Sequence, residues 1–107
     1  MDKRTAIDLA KKYAEATINL EEKPNKIMLF GSYAQNTARE DSDIDVAVIY
    51  DTIKGDILKH YAKLWSLTRE VSLDIEPLLL TRDDDPIGFI GEVERTGEII
   101  WERKMLA

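Results

Sequence analysis

Three short apolar stretches, set between segments of helical period, constrain this chain more than any other feature. Ile27-Met28-Leu29-Phe30 is wholly apolar and stops abruptly at Gly31-Ser32, as a buried strand does. Ile44, Val46, Val48 and Tyr50 alternate with Asp43, Asp45, Ala47 and Ile49, a second strand whose first half carries acids on one face. Residues 72–80 begin polar and end apolar, which predicts a third strand. Around them, Ala6, Leu9, Ala10, Tyr13 and Ala14 recur with helical spacing, and Pro24 lies beyond the point where that helix can continue. Ile57, Tyr61, Leu64, Trp65 and Thr68 form the inward stripe expected of a second long helix. The small-residue string from Ala34 to Ala38 predicts a short helix and a turn within residues 33–42. Asp85 is placed to cap a further helix with Pro86 in its first turn, Phe89, Ile90 and Val93 facing inward and Gly97 as a stop. Residues 98–107 contain Ile99, Ile100 and Trp101 and suit either a strand or a helical turn. The predicted order is α-β-α-β-α-β-α, an α/β or α+β fold.

A length of 107 residues suits one domain spanning residues 1–107. There is no cysteine, which removes disulfides and thiolate metal sites. The one histidine, His60, makes a His-rich zinc site implausible; between Lys59, Tyr61 and Lys63 it reads as a surface or helix-packing residue. Fifteen Lys and Arg stand against 21 Asp and Glu, for a net charge of −6. That sign argues against general nucleic-acid binding, which draws on a basic surface. No apolar stretch approaches the roughly 20 residues of a membrane span, and the charged start lacks the apolar core of a signal peptide. The expectation is a cytoplasmic domain with no membrane partner.

The arrangement of the acids says more than their number. Asp43-Ile44-Asp45 puts two carboxylates on one face of a strand, with Ile44 turned into the core. Two like charges that close repel unless a cation lies between them, and oxygen-only ligands favour a hard ion such as Mg²⁺. A solvated strand end is the plainer explanation for such a pair alone, but the apolar Val46-Ala47-Val48-Ile49 places it at the mouth of a buried strand. Asp74-Ile75-Glu76 repeats the spacing on the next strand, so three or four carboxylates could converge, as in two-metal phosphoryl transfer. Lys63 or Arg69 are the alternative partners for Asp74 and Glu76. Gly31-Ser32, directly after a strand and opening a predicted helix, offers backbone N–H groups and a hydroxyl to phosphate oxygens; alone, a plain turn explains it as well.

Gly31-Ser32, ten intervening residues and Asp43-Ile44-Asp45 together resemble the signature of the nucleotidyltransferase superfamily typified by the palm of DNA polymerase beta. The run Leu29-Phe30-Gly31-Ser32-Tyr33-Ala34 and the run Asp41-Ser42-Asp43-Ile44-Asp45-Val46-Ala47-Val48 are similar to the minimal nucleotidyltransferase (MNT) proteins, often encoded beside a HEPN-domain protein. The likeness extends to Ile75-Glu76-Pro77 and to residues 86–97. It implies a small mixed sheet flanked by helices, with Gly31 and Ser32 on the triphosphate of ATP or another NTP. It implies that Asp43 and Asp45 bind nucleotide through two Mg²⁺ ions, and that a third carboxylate completes one metal site and helps deprotonate the acceptor. Asp74 and Glu76 both qualify: Ile-Glu-Pro favours Glu76, while the more general family spacing admits Asp74. Many relatives have Arg-Gly where this chain has Gln35-Asn36. Asn tolerates a left-handed backbone, and Arg39 is a candidate replacement for the missing arginine.

The resemblance implies Mg-dependent transfer of an NMP, AMP from ATP, to an acceptor hydroxyl. By family analogy the acceptor is a tyrosine of a HEPN toxin, which makes this chain an antitoxin. The rival expectation is a catalytically weak or inactive module of the same fold that neutralises a basic partner by binding. Exposed apolar residues near Trp101, Met105 and Leu106 would then form the contact, although Trp101 packing on its own sheet is the simpler reading. So short a chain leaves no second domain to grip an acceptor, which points to a partner protein or a homo-oligomer. Neither Gly-Lys-Ser/Thr nor Gly-x-Gly-x-x-Gly occurs, which excludes P-loop and dinucleotide folds.

Overall fold

A computed structural model describes residues 1–104. The elements in chain order are α1 (Lys3–Thr17), β1 (Lys26–Phe30), β2 (Ile44–Tyr50), α2 (Ile57–Val71), β3 (Ile75–Thr81), α3 (Phe89–Thr96) and β4 (Glu98–Glu102). They form an α+β fold around a four-stranded mixed sheet of order β3-β2-β1-β4. β1 runs antiparallel to β2 and β4, and β2 runs parallel to β3. Pro77 is tolerated in β3 because that strand is at the sheet edge, where an N–H is dispensable.

The sheet is covered on both faces. On one face Ile27, Leu29, Ile44, Val46, Val48, Tyr50 and Ile75 pack with Ala6, Ala10, Tyr13 and Ala14 of α1 and Leu64 of α2. On the other, Met28, Ala47 and Ile49 meet Ile90 and Val93 of α3. Each fully buried Ile, Leu or Val contributes about 1.5–3 kcal/mol, so β1 and β2, buried from both sides, anchor the fold. Gly97 passes so near the chain that an added Cβ would lie 2.6 Å from the Leu29 carbonyl oxygen and 2.7 Å from that of Val93. The stop after α3 is therefore a matter of space.

Several expectations are corrected. Residues 33–42 form no helix. Asn36 takes a left-handed backbone with φ 61°, Tyr33 and Ala34 are buried, and a tight turn closes with Gln35 N–H on the Gly31 carbonyl at 3.1 Å and Thr37 N–H on that of Ser32 at 2.9 Å. Left-handed geometry at Asn36 cannot propagate a right-handed helix. The inward stripe of α2 is His60, Leu64 and Thr68, whereas Ile57 and Trp65 are each 45% exposed. His60 is admitted because its Nε2 shares a hydrogen bond of 2.5 Å with the Tyr50 hydroxyl, which satisfies a buried polar ring. β3 starts at Ile75 rather than 72, because the Ser72 hydroxyl accepts the Asp74 N–H at 3.1 Å and holds a turn there. α3 starts at Phe89, after Gly88 with φ 69°. Gly88 therefore holds the cap position expected of Asp85, and Pro86 lies ahead of the helix rather than in its first turn; the Asp85 carboxylate nonetheless accepts N–H bonds from Phe89 at 2.9 Å and Ile90 at 3.2 Å. Residues 98–102 are a strand.

Candidate active site

The acids and the glycine turn meet where three adjacent strands begin or end. β1 stops at Phe30, whose register partner on β2 is Asp45. The chain then turns through Gly31 with φ +73°, and a Cβ there would collide with the Asp45 carboxylate. Glycine is required at this position for both reasons, conformation and space. Asp45 is in turn the register partner of Glu76 on β3, so both side chains leave the same sheet face. Asp43 stands one residue before β2 and is exposed.

Electrostatics tie three of the four predicted acids together. Partial burial of Asp45, with the charges of Glu76 and Asp43 nearby, pushes its pKa up to about 6. Asp45 and Glu76 are close enough to share a hydrogen bond once one is protonated. Asp74 is exposed in the turn before β3, where its carbonyl accepts the Ile44 N–H at 2.8 Å. Its charge is not among those acting on Asp45. Among the described residues, no ion pair reaches any of the four carboxylates, so neither Lys63 nor Arg69 neutralises them.

The donor chemistry suits a hard divalent cation, with oxygen ligands and no competing lysine or arginine. The present rotamers are not a preassembled cage: among the described residues, no group of three His, Cys, Asp or Glu is placed to hold a metal ion. Gly31 and Ser32 open a tight turn rather than a helix, so any phosphate contact there would use turn N–H groups without a helix dipole. Asn36 keeps the left-handed geometry expected of it, with its Oδ1 accepting from Lys3 Nζ at 3.1 Å. Arg39 is exposed, in a turn closed by its N–H on the Ser42 hydroxyl at 2.7 Å.

Beside the carboxylates lies a small cavity of about 200 Å³, bounded also by Phe30, Tyr61, Trp65, Pro77 and Leu78. Of these walls, Tyr61 and Trp65 on α2 lie outside the motif. The sequence carried no signal for Trp65, whose helical spacing placed it on the inward stripe, whereas the structure leaves it beside the His60-Leu64-Thr68 line. Larger clefts, of about 510 and 480 Å³, lie away from the acids, at Lys26 and Arg82 and at Lys54 and His60. Neither is lined by any of the four predicted carboxylates or by Gly31 and Ser32, and at the first Lys26 and Arg82 are already paired with Glu94. Trp101 is half-buried and packs against the α1 side of the core; Met105 and Leu106, the other residues of the predicted contact, lie outside the described residues.

The family model described as "Polymerase beta, Nucleotidyltransferase" matches residues 11–105. No curated protein matches the sequence significantly. Among solved structures, a Sulfolobus solfataricus protein assigned as a nucleotidyltransferase superposes with TM-score 0.66 at 20% identity, over 94% of this chain and 84% of that one. A toxin-antitoxin solved with AMP-PNP has TM-score 0.57 at 26% identity, over 88% of this chain and 74% of that one. A mutant of the toxin-antitoxin MntA-HpeT, with two aspartates two positions apart changed to glutamate, has TM-score 0.52 at 24% identity, over 97% and 76%. The likenesses below 25% identity concern the fold alone.

Proposed function

The chain belongs to the polymerase beta nucleotidyltransferase family, and we propose that it transfers AMP from ATP to a hydroxyl of a toxin protein and thereby acts as its antitoxin. The observation that carries this reading is the line Gly31, Asp45, Glu76 across β1, β2 and β3, with Asp43 beside it and, among the described residues, no cation paired to the acids. The toxin-antitoxin solved with AMP-PNP supports the nucleotide and the kind of partner. A HEPN-domain toxin with a tyrosine acceptor remains the expected partner.

In this reading Gly31 and Ser32 orient the triphosphate through backbone N–H groups and the serine hydroxyl. Asp43, Asp45 and one of Glu76 or Asp74 would hold two Mg²⁺ ions. Those ions supply charge neutralisation and lower the pKa of the attacking hydroxyl. Glu76 has the stronger geometric claim, since it faces Asp45 in register. The chain has no cysteine and its one histidine is buried, so the residues contribute position and charge rather than a covalent nucleophile.

The test is transfer of label from α-labelled ATP to a co-expressed toxin in Mg²⁺. The expected result is label on the toxin, reduced at least a hundredfold by Asp43→Ala with Asp45→Ala. A native chain that leaves no label, while that double variant still protects cells, would instead establish neutralisation by binding. The spread of the carboxylates, with no three among the described residues arranged around a metal, is the observation favouring that second reading.

A further inference from the structure

Three clefts larger than the cavity beside the carboxylates gather at the opposite ends of the strands, with volumes of about 510, 450 and 480 Å³. They are contiguous. The first shares Asn25, Asp51 and Arg103 with the second, and the second shares Glu21, Glu22 and Lys54 with the third. The groove they form starts beside Lys26 and Arg82, which reach Glu94 of α3 on one sheet face. It passes over the sheet end, where Asn25 is hydrogen-bonded to Asp51, and finishes along Lys59 and Lys63 of α2 on the other face. β2 has seven residues at about 3.3 Å each, so roughly 20 Å of sheet separates this groove from Asp45.

Eight of the chain's 15 Lys and Arg line the groove, against five of its 21 Asp and Glu. Four of those five acids are already engaged. Asp51 and Glu102 pair with Arg82 and Lys26, the Glu22 carboxylate accepts the Lys54 and Gly55 N–H groups, and Asp56 accepts those of Leu58 and Lys59. Lys23, Lys54, Lys59, Lys63, Arg103 and Lys104 are exposed and, among the described residues, have no carboxylate partner. The net charge of −6 thus averages two regions of opposite sign. Among the described residues no apolar side chain lines the groove, so it lacks the aromatic and apolar anchors that dominate binding between proteins. Charge is what it offers.

We propose that this groove binds the phosphodiester backbone of a single-stranded polynucleotide. Lysine and arginine release condensed counterions from such a backbone. A single strand can bend over the sheet end from one face to the other, whereas a duplex stays straight over about 150 base pairs. With no aromatic platform the bases go unstacked and unread, so recognition is indifferent to sequence and sensitive to salt.

The test follows fluorescein-labelled oligo(U) and oligo(C) of about 12 nucleotides, within the range of known single-strand sites. They are titrated with the full chain in EDTA, so that no metal held by the acids contributes. The two strands should bind alike, and a duplex of the same length at least fivefold more weakly. Contact with about four phosphates predicts roughly fiftyfold weaker binding at about 200 mM salt than at about 50 mM. Lys59→Gln with Lys63→Gln, and separately Arg103→Gln with Lys104→Gln, should each weaken binding about tenfold and lower the salt slope by about 1.4. Lys11→Gln with Lys12→Gln, exposed on α1 outside the groove, should change neither. Equal melting temperatures keep a folding defect out of the comparison. A loss confined to one of the two groove pairs overturns the continuous path, and an equal loss in the α1 pair overturns the site. A strong preference between the two strands overturns backbone recognition. Polyglutamate of the same charge binding as tightly overturns the polynucleotide in favour of an acidic protein, and no binding even at the lower salt overturns the groove altogether. None of these outcomes bears on the transfer reading, whose residues lie at the other end of the sheet.

Discussion

Asp45 is half-buried beside two other carboxylates, and its ionised form is disfavoured in the folded state, with a pKa of about 6 against an ordinary 3.8. A carboxylate with a raised folded pKa binds its proton more tightly when folded, so between those two values stability rises as pH falls. Above about pH 6 the charge is a standing cost. Asp45→Asn should therefore stabilise the chain at pH 7.5 by on the order of 1 kcal/mol, allowing for solvent screening of a half-buried group. The gain should vanish near pH 4, as read by denaturant unfolding at the two pH values. Gly31→Ala should act in the opposite direction. It forces a side chain into a positive-φ position and against the Asp45 carboxylate, so a loss of about 1–3 kcal/mol is expected together with loss of nucleotide binding. Equal stability and binding in the alanine variant would show that the turn is not pinned by that contact.

At the level of elements, α2 shows what the sequence could and could not reveal. Its length and helical period were legible from Ile57 to Thr68, and so were β1, β2 and the acids at the start of β2, because burial on both faces leaves an unbroken apolar run. The rotation of α2 was not legible. A polar His60 faces inward because Tyr50, ten residues earlier on another element, supplies its partner, and such pairing is invisible to a one-dimensional pattern. Burial holds the His60 pKa below its ordinary value. A depressed folded pKa means the unfolded chain takes up the proton first, so this stability is present above about pH 6.5 and is lost as pH falls below it. His60→Gln should flatten that acid limb of a stability profile, and Tyr50→Phe should cost about 1–3 kcal/mol by leaving the buried ring without its partner. The turn at residues 33–37 was misread for a similar reason: small residues suit a helix, but Tyr33 and Ala34 are drawn into the core and Asn36 reverses the chain. The site was therefore readable in its carboxylates and glycine, which a local motif holds. Its aromatic wall was not, since Trp65 and Pro77 meet only across a helix and an edge strand.

For the whole molecule, a net charge of −6 is self-repulsive, and among the described residues the carboxylates gathered at one end of β2 and β3 are among the acids that no lysine or arginine pairs. Lys26, Arg82 and Glu94 form paired contacts at the other end of the strands, so the chain has cations to spend and places them away from the acids. A fold that leaves these charges uncompensated should be stabilised by whatever compensates them. A ligand that binds only the folded chain stabilises it by about 2.7 kcal/mol at a hundredfold excess over its Kd, and each kcal/mol shifts melting by roughly 4–8 °C for a chain of about this size. Mg²⁺ with a non-hydrolysable ATP analogue should raise Tm by several degrees, more than either alone, because each supplies charges the other needs. Asp43→Asn with Asp45→Asn should melt higher than the native chain without ligand, for the reason worked out for Asp45, and should lose the ligand-induced rise. The crossing of those two effects separates a metal-nucleotide site from a structural acidic edge: the latter gives the higher melting point of the double variant but no response of the native chain to Mg²⁺ and nucleotide.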